Sequence, residues 1–357
     1  MKIAHVIPST FGDDGVVGGA ERYAFELARS MADREDTTLL AFGEGSAQRQ
    51  HGNLKIRVIG GATWVRGQRS NPIALRLFGE LTEFDVIHFH QQHILASSLG
   101  AIFCRCLRKT VVVSDLGGGG WDLSGYVSTD RLFQRHLHIS KYSREAFGHA
   151  HFDRAEVIYG GVDTEKFSLG LDPQDRDRIV YVGRLLPHKG IRYLIEGIPP
   201  EIPLDIIGRP YDDQHFQHLV QLAKGKKVRF LTTASDAEVV GAYRRAICVV
   251  LPSVYETDEY KTNTPELLGQ TLLEGMACGA AGIATNVASL PEVVEDGVSG
   301  ILVEPNNAEA LRLAIVELVE NQEKRRQMCL AARERVLAKF QWSVVVEKCL
   351  NAYELCA

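Results

Sequence analysis

The sequence predicts an α/β protein built from two Rossmann-like, doubly wound domains that face a central cleft. Its 357 residues, 45% of them hydrophobic, are too many for one ordinary compact core, so each half is expected to bury its own. Short apolar runs alternate with longer amphipathic stretches, which is typical of parallel sheets covered by helices. The alternation stops in the polar segment SLGLDPQDRDR after Phe167 and then starts again, which indicates a domain boundary.

The predicted strands follow the apolar runs in both halves. In the first half they are KIAHVI, TTLLAF, KIRVIG, FDVIHFH, TVVVSDL, LHIS and VIYGGVD. In the second half they are RIVYVGRLL, LDIIG, KVRFL, ICVVLPS, AAGIAT and GILVE. Residues after about 306 are predicted helices, and the last amphipathic segment is expected to return to the first domain. We therefore predict domains at 1–167, completed by 341–357, and at 168–340, with ligands at the carboxyl ends of the strands.

Composition excludes several classes of protein. Seven cysteines, an odd number without a CxxC pair, argue against a disulfide framework or a zinc site and favour reduced thiols in a cytoplasmic protein. No window reaches the roughly 18 apolar residues of a membrane span, and the first apolar run ends in a polar turn instead of a cleavage site. The net charge of −5 disfavours general nucleic-acid binding.

A local basic cluster joins Arg105, Arg108 and Lys109 to Arg131 and Arg135. We interpret it first as the solvated end of a helix. The alternative is a surface that rests on anionic lipid headgroups, which would give the protein a peripheral contact with the cytoplasmic face of the inner membrane.

Two glutamates, Glu266 and Glu274, lie eight residues apart in PELLGQTLLEGMACG. Eight residues of helix span about 12 Å, which suits a ligand with a sugar at one end and a ribose at the other, because both offer hydroxyls to a carboxylate. A helix start near Gly269 would meet a diphosphate between them. The plain alternative is that Glu266 caps the helix and Glu274 lies on a solvated face.

The run YVGRLLPHKG places Arg184 and Lys189 just beyond a predicted strand, where both cations can reach one phosphate group. A departing diphosphate gains negative charge as the glycosidic bond breaks, so fixed cations lower the barrier without moving a proton. An isolated arginine and lysine after a strand are more often surface charges. Their company with the glutamate pair makes them candidates.

With these residues in order, the sequence resembles the retaining GT-B glycosyltransferases of family four. The resemblance extends over nearly the whole chain, through GGAERYAFELA, DVIHFH, VIYGGVD, GRLLPHKG, the spaced glutamates and LPEVVEDGVSGILVEP. It implies transfer of a sugar, with retention and without a metal ion or other cofactor, from a UDP- or GDP-linked donor to a sugar, lipid-linked or small-molecule acceptor. Polysaccharide, lipopolysaccharide or glycoconjugate biosynthesis at the cell surface is the implied setting.

The resemblance also implies roles for residues of the second, donor domain. Arg184 and Lys189 would hold the diphosphate, Glu274 the ribose hydroxyls and Glu266 the transferred sugar. The backbone groups near the donor would come from Gly183, Leu268, Gly269 and Gln270.

In the first, acceptor domain, Gly18 and Gly19 precede the first predicted helix, so the backbone there can approach the donor phosphates. A plain loop-to-helix turn is the alternative, and the resemblance favours the phosphate contact. A dinucleotide fold is disfavoured because Gly15, Gly18 and Gly19 do not form GxGxxG.

The histidines of HFHQQH suggest metal ligands at first. Alternation puts His88 and His90 on one face of a strand with no carboxylate at matching spacing, so we predict partly packed strand-end histidines, with His90 or His93 in contact with the cleft and the acceptor. The pair Asp212 and Asp213 is interpreted as a solvated turn, and no metal site is predicted.

The segment VVVSDLGGGGWDLSG differs from the family, because many relatives carry a donor-sugar histidine where this chain has Leu116, which cannot form that hydrogen bond. Either Asp115 or Asp122 takes its place, or a mobile loop of Gly117 to Gly120 delivers backbone groups and Trp121 to a sugar ring. A surface loop without a role is a third possibility. The missing histidine keeps open a non-catalytic GT-B module that binds a nucleotide sugar or a partner, and a phosphorylase or epimerase of the same architecture is a further alternative.

Overall fold

A computed structural model describes residues 1–10, 18–258 and 260–356 of the chain. These residues form two compact units, Met1–Gly161 with Trp342–Ala357, and Val162–Gln341. Each unit is an α/β fold, as the sequence predicts.

The first unit contains an eight-stranded sheet and a separate two-stranded ribbon. Its strands are β1 (Lys2–Val6), β2 (Asp36–Phe42), β3 (Ala47–His51), β4 (Leu54–Ile59), β5 (Thr63–Trp64), β6 (Pro72–Ile73), β7 (Val86–Phe89), β8 (Thr110–Val113), β9 (Arg135–His138) and β10 (Ala155–Val157). Its first helices are α1 (Gly19–Met31), α2 (Arg76–Leu81), α3 (Leu95–Cys106) and α4 (Lys141–Ala146). The order of the large sheet is β10-β9-β8-β7-β1-β2-β4-β3, and β5 pairs with β6.

All pairs in the large sheet are parallel except β3 with β4. The observed strands of this unit differ from the predicted ones at β3 and at β10. Strand β3, Ala47–His51, is absent from the prediction because AQRQH is polar and lies on an exposed sheet edge, so it carries no apolar signal. Strand β10 ends at Val157, whereas VIYGGVD is predicted to continue further, and the two glycines after it lie outside any strand.

The second unit contains a six-stranded sheet, β11 (Arg178–Val182), β12 (Leu204–Ile207), β13 (Val228–Leu231), β14 (Ala246–Leu251), β15 (Ala281–Thr285) and β16 (Gly300–Val303). Its helices are α5 (Ile191–Gly197), α6 (Asp213–Leu222), α7 (Asp236–Arg244), α8 (Gln270–Ala277), α9 (Leu290–Val293), α10 (Ala308–Glu320) and α11 (Gln322–Lys339). All strand pairs are parallel, in the order β13-β12-β11-β14-β15-β16. This is the doubly wound order of a Rossmann fold.

The chain passes between the units at positions that differ slightly from the predicted ones. Val162 pairs with Gln341 in an isolated bridge, and its N–H donates to the carbonyl of Phe340 at 2.7 Å. Phe167 is buried and its ring lies 6.0 Å from that of Tyr243. The residues just before Phe167 therefore belong to the second unit, and the boundary falls at Gly161 instead of Phe167.

The last helix, α12 (Trp342–Glu354), packs in the first unit. Trp342 lies against Tyr23 of α1, with ring centroids 5.6 Å apart. The hydroxyl of Tyr353 contacts Nδ1 of His88 on β7 at 2.7 Å. Among the described residues, no helix is long and apolar enough to cross a bilayer.

Candidate active site

The second unit has its topological switch point between β11 and β14, the two central strands from which the chain winds in opposite directions. Ligands of open α/β sheets bind outside the carboxyl ends of such strands. β11 ends at Val182 and is followed by Arg184 and Lys189, while β14 ends at Leu251 and is followed by Ser253. The predicted cations therefore lie at the edge of the sheet where a ligand is expected.

A tight turn fixes the lysine. Gly190 has φ 65°, and a Cβ at this position would lie 1.9 Å from the carbonyl oxygen of Pro252. Only glycine fits both the left-handed backbone and this close approach. The turn therefore holds Lys189 against the segment that follows β14.

Lys189 and Glu266 form an ion pair, Nζ to Oε1, with side chains 10% and 12% exposed. The same Oε1 accepts a hydrogen bond from the hydroxyl of Ser253 at 2.9 Å, and the Lys189 ammonium also donates to the carbonyl of Pro265 at 3.2 Å. The backbone carbonyl of Glu266 accepts from Ser289 at 3.2 Å. Glu266 is therefore oriented from several sides and does not point into bulk water.

Arg184 differs from Lys189 in its surroundings. Its side chain is exposed, and within the described ranges it forms no ion pair. Its carbonyl accepts hydrogen bonds from the Tyr181 hydroxyl and from the N–H of Leu186, both at 3.0 Å, so the backbone is fixed while the guanidinium is presented to solvent. Burial raises the pKa of Tyr181, with a smaller contribution from Glu266, so this hydroxyl stays protonated.

Helix α8 starts where the sequence predicts a diphosphate contact. Gly269 is the N-cap, with φ 87° and no side-chain cap, and Gln270 is the first helical residue. Leu268, 4% exposed, immediately precedes the cap. An uncapped helix start carries backbone donors and a positive dipole end. The N–H of Gly183 already donates to the carbonyl of Ile207 at 2.9 Å, and a contact of Gly183 with the donor stays a prediction.

The alternative that Glu266 caps the helix and Glu274 lies on a solvated face is wrong for both residues. Gly269, not Glu266, caps the helix. Glu274 is 2% exposed, so it does not lie on a solvated face. Its Oε2 accepts a hydrogen bond from the hydroxyl of Tyr243 at 3.1 Å. A buried carboxylate on α8 is thus held by a tyrosine on α7.

The described residues of the segment between Tyr255 and Glu266 form a small hairpin beside the site. Glu256 and Lys261 form an antiparallel bridge, and the ring of Tyr260 stacks on His188 with centroids 5.2 Å apart. Burial lowers the pKa of His188 to about 4, with a further contribution from Lys189, so the imidazole is neutral near pH 7. A neutral histidine fits beside Lys189 because it adds no second positive charge.

In the first unit, the predicted glycine pair lies at the start of α1. Gly18 is the N-cap, with an extended backbone and no side-chain cap, and Gly19 is the first helical residue, with open space where a Cβ would be. The phosphate contact of these glycines stays a prediction. Gly15 lies outside the described residues.

His88, on β7, and His90, directly after it, are more deeply buried than predicted. His90 is 2% exposed and its Nε2 lies 2.8 Å from Nδ1 of His5. His88 is fully buried and its Nε2 contacts the hydroxyl of Ser114 at 2.9 Å. Burial, the largest cause, lowers the pKa of both histidines well below the usual range. This position argues against direct contact of His90 with an acceptor, whereas the His93 side chain is 39% exposed.

Asp115, the predicted acceptor residue after β8, has a side chain 2% exposed and lies 3.8 Å from Nε2 of His93. Its Oδ1 accepts from the N–H of Gly117 at 3.1 Å. Burial raises the pKa of this carboxyl, against a smaller lowering by His93. Asp115 therefore supports the glycine loop and is almost fully buried beside His93.

The glycine loop, Gly117 to Gly120, and the adjoining Trp121 are anchored by hydrogen bonds. The N–H of Gly120 donates to the carbonyl of His93 at 2.7 Å, and the Asn71 amide donates to the carbonyl of Trp121 at 2.7 Å. The guanidinium of Arg66 lies 4.7 Å from the centre of the Trp121 ring. Asp122 is also committed, since its Oδ2 accepts from the hydroxyl of Ser98 at 2.7 Å.

Sequence reasoning missed two side chains that orient the charged residues. Ser253 follows an apolar strand as one of many serines, and Tyr243 lies on a helix far from the glutamates in sequence. The position of Ser253 directly after ICVVLP is a usable signal, because residues after a central strand line the ligand edge. For Tyr243 the sequence carries no such signal. Asp212 and Asp213 are both exposed, as predicted, and the Asp212 side chain also caps α6 by accepting from the N–H of His215.

Two doubly wound units, one of them with the oriented pair Lys189 and Glu266 and the exposed Arg184 at its switch point, have the architecture of the GT-B glycosyltransferases. Residues 162–335 match the family described as Glycosyl transferases group 1, and residues 17–166 match Glycosyltransferase Family 4. The two matches together span most of the chain. The protein belongs to the group 1 GT-B glycosyltransferases and is a transferase that uses nucleotide sugars.

Named relatives agree with this family. The chain is 26% identical over 387 residues to a phosphatidyl-myo-inositol mannosyltransferase of Mycolicibacterium smegmatis, covering 99% of this chain and 94% of the relative. It is 30% identical over 233 residues to an alpha-maltose-1-phosphate synthase of the same species, covering 56% of this chain and 57% of the relative.

Solved structures share the fold. HepE of Anabaena, determined with UDP and glucose, aligns with a TM-score of 0.76 at 19% identity and covers 99% of this chain and 100% of that one. Sucrose-phosphate synthase of Thermosynechococcus elongatus aligns with a TM-score of 0.73 at 20% identity, covering 99% and 98%.

Proposed function

We propose that this glycosyltransferase moves a sugar from a UDP- or GDP-linked donor to a hydroxyl acceptor with retention of anomeric configuration and without a metal ion. The observation that carries the proposal is the Lys189–Glu266 pair, held at the switch point of the second unit by Ser253 and Pro265. A cation and a carboxylate side by side suit the two ends of a glycosyl phosphate.

The lysine is the diphosphate ligand in this proposal. An ammonium has three N–H donors, and the described contacts use two acceptors, Glu266 and Pro265. A third donor remains for a phosphate oxygen. Arg184 supplies a second, exposed cation, and the uncapped start of α8 supplies backbone N–H groups near Leu268, Gly269 and Gln270. These groups stabilise the negative charge that grows on the leaving diphosphate.

Glu266 is assigned to the transferred sugar. Its Oε1 is occupied by Lys189 and Ser253, which orient the carboxylate. A carboxylate has further lone pairs that can accept from sugar hydroxyls. Glu274, buried and held by Tyr243, is assigned to the ribose hydroxyls.

The reaction follows from these roles. The acceptor oxygen forms a bond to the anomeric carbon on the face from which the diphosphate leaves, and the bond from that carbon to the phosphate oxygen breaks. The leaving phosphate oxygen takes the acceptor proton, so no protein general base is required. Glu266 stabilises the positive charge that develops at the anomeric carbon.

The acceptor is assigned to cell-surface glycan, lipopolysaccharide or glycoconjugate synthesis, in the cytoplasm or at the cytoplasmic face of the membrane. The mannosyltransferase relative, whose name includes a phosphoinositide, supports a lipid-linked acceptor. The exposed side chains of Arg105, Arg108 and Arg131 support a peripheral contact with anionic lipid. Lys109 contributes less, since its ammonium donates to the carbonyls of Thr82 and Phe84.

Alanine substitutions of the central pair test the proposal. We expect Lys189→Ala and Glu266→Ala each to lower turnover by about two to three orders of magnitude, the usual cost of removing one group that stabilises developing charge. Turnover is measured with a panel of UDP- and GDP-sugars chosen by thermal shift, since a ligand bound only to the folded state raises its melting temperature. NMR of the product's anomeric proton determines whether configuration is retained.

The hairpin provides a matched control. Lys261 and Glu256 form an ion pair of 2.7 Å with side chains 70% and 59% exposed. Lys261→Ala and Glu256→Ala remove the same charges close by and should leave turnover near that of the parent. Near-normal turnover in the Lys189 or Glu266 variants contradicts the assigned roles, and an inverted product contradicts retention. Donor binding without transfer or hydrolysis would favour a non-catalytic module, a C2 epimer of the donor an epimerase, and phosphate-dependent cleavage a phosphorylase.

A further inference from the structure

A second group of histidines lies in the first unit, away from the residues assigned above. His136 and His138 lie two residues apart on β9 and so face the same side of the sheet, and His149 follows α4. Their exposed fractions are 1%, 1% and 5%. Each offers one ring nitrogen such that the three nitrogens lie within 4.8 Å of one another.

Neighbouring acceptors determine where two of these rings carry their proton. Nε2 of His136 lies 2.9 Å from the backbone carbonyl oxygen of Asp130, which can only accept, so this nitrogen carries the proton and Nδ1 has the lone pair. Nε2 of His149 faces the Asp130 carboxylate at 3.5 Å, which favours the same tautomer. Asp130 thus turns the Nδ1 lone pairs of His136 and His149 away from itself.

The third histidine cannot satisfy both lone pairs. Nε2 of His138 lies 3.0 Å from Nδ1 of His149, while Nδ1 of His138 is buried without a partner among the described residues. A neutral imidazole has a single N–H to donate. With the N–H groups of His136 and His149 directed to Asp130, the N–H of His138 is the one proton left among the three rings for the lone pairs that face one another.

We propose that His136, His138 and His149 bind a transition-metal ion of the Zn²⁺ class, with Asp130 as the outer partner that orients two of the three ligands. Imidazole nitrogens are preferred ligands of such ions. A ligating histidine usually donates its other N–H to a carboxylate or a backbone carbonyl, which are the two contacts that Asp130 makes. Zinc–nitrogen bonds are about 2.0–2.1 Å long, so nitrogens around one ion lie about as close together as those of His138 and His149 do.

Asp130 is itself held in place. Its Oδ1 accepts from the side-chain amide of Gln92 at 2.6 Å, and its Oδ2 accepts from the hydroxyl of Ser128 at 3.2 Å. Aromatic rings enclose the other sides, with Phe147 stacked on His138 and Phe152 stacked on His149 at centroid distances of 6.1 and 5.2 Å. A fixed second shell inside an apolar wall is typical of a preformed metal site.

The other buried histidine triad, His5, His88 and His90, also has a close pair of imidazoles and an unpartnered nitrogen, Nδ1 of His90, among the described residues, but it differs in its outer contacts. Both nitrogens of His88 contact hydroxyl groups, those of Tyr353 and Ser114. His5 uses one nitrogen for His90 and has the other 3.3 Å from the sulfur of Met31. In this triad hydroxyls contact His88 alone, and no carboxylate contact orients any of the three rings among the described residues. We therefore assign the ion to the β9 cluster, independently of the transfer reaction, for which no metal is proposed.

Metal retention by the full-length protein tests the assignment. The chelator-treated protein is incubated with Zn²⁺, passed through a desalting column and assayed for bound zinc, with the thermal unfolding curve recorded with and without Zn²⁺. We expect one Zn²⁺ per chain in the parent, with a higher melting temperature, and loss of both effects in His138→Gln and His149→Gln. His151→Gln, an exposed histidine two positions from His149, is the matched control and should keep the ion.

Asp130→Asn provides a test that does not remove a ligand. It should bind Zn²⁺ roughly 10- to 100-fold more weakly, as outer-shell substitutions do. If the histidine variants fail to fold, this variant and the visible spectrum of the Co²⁺-loaded parent, which distinguishes four-coordinate from six-coordinate sites, decide the question. The assignment is overturned if the parent retains no zinc, if His149→Gln retains a full equivalent, or if His90→Gln alone loses it.

Discussion

Removing the hydroxyl oxygen of Tyr243 tests how Glu274, the carboxylate proposed to bind the ribose, is held. Tyr243 is fully buried, and its hydroxyl donates to Oε2 of Glu274 at 3.1 Å, while Glu274 is 2% exposed. Tyr243→Phe keeps the ring and its contact with Phe167 but deletes the donor. Because a hydrogen bond to a charged group contributes about 1.5–3 kcal/mol, we expect the free energy of unfolding to fall by that amount.

The magnitude translates into measurable quantities. For a domain of this size a loss of 1 kcal/mol lowers the melting temperature by about 2–4 °C, so the expected decrease is about 3–12 °C. If Glu274 holds the ribose in the ground state and the transition state alike, its misorientation raises KM for the donor and leaves kcat near the parent value. A loss of about 1.4 kcal/mol corresponds to a tenfold rise in KM.

The assay combines calorimetry with steady-state kinetics on a nucleotide sugar and on its 2′-deoxy analogue. The parent should prefer the ribose donor to the 2′-deoxy analogue. Tyr243→Phe should reduce that preference, because the Glu274 carboxylate is no longer oriented to accept hydrogen bonds from the ribose hydroxyls. Tyr211→Phe, which removes the same oxygen from a residue 59% exposed, serves as control. An unchanged melting temperature in Tyr243→Phe, or a fall in kcat at constant KM, would refute the reasoning.

Two further predictions concern the cation and the histidine of the same unit. Arg184→Ala should leave the melting temperature unchanged, because the side chain is exposed, but should lower kcat/KM by about 100- to 1,000-fold. The control Arg326→Ala, on the exposed face of α11, should change neither quantity. An equal effect of the two substitutions would show that Arg184 is not part of the site. Burial lowers the pKa of His188 to about 4, whereas an unfolded histidine has a pKa of about 6.5. Between these pH values the folded protein binds fewer protons than the unfolded chain. The free energy of unfolding therefore falls as the pH falls through this range, by at most about 1.4 kcal/mol per pH unit. Urea unfolding at several pH values should show a steeper dependence in the parent than in His188→Gln, and parallel curves would contradict it.

Much of the fold follows from periodicity. The β-branched and apolar runs predicted all six strands of the second sheet, because a strand buried on both faces must be continuously apolar. The same reasoning failed for β3, Ala47–His51, whose polar residues pair only through the backbone at a sheet edge. The boundary between the units lies at Gly161 and not at Phe167, because Val162 already pairs with Phe340 of the second unit through a backbone hydrogen bond. A backbone pairing across such a sequence distance has no local signature.

The site was predictable where a residue's chemistry is tied to its place after a strand. Lys189 and Glu266 were chosen by spacing and type, and the structure brings them into contact. His90 was not predictable in the same way, since its burial depends on His5 of a neighbouring strand. The β9 histidine cluster escaped notice because His149 reaches it from beyond α4, and three histidines at unrelated spacing match no ligand motif.

Two lysine–glutamate pairs in the second unit show why the sequence pattern alone cannot distinguish a binding site from an exposed surface. Lys261 and Glu256 are largely exposed, whereas Lys189 and Glu266 are nearly buried. At about 4 Å, two unit charges interact by about 1 kcal/mol in water and by about 4 kcal/mol at the effective dielectric near a protein surface. A diphosphate that approaches the buried pair therefore meets a lysine whose attraction is little screened, while the exposed pair exchanges its partner for water at almost no cost. Burial, which the fold supplies through the Gly190 turn, is what gives the first pair the capacity to respond to a ligand.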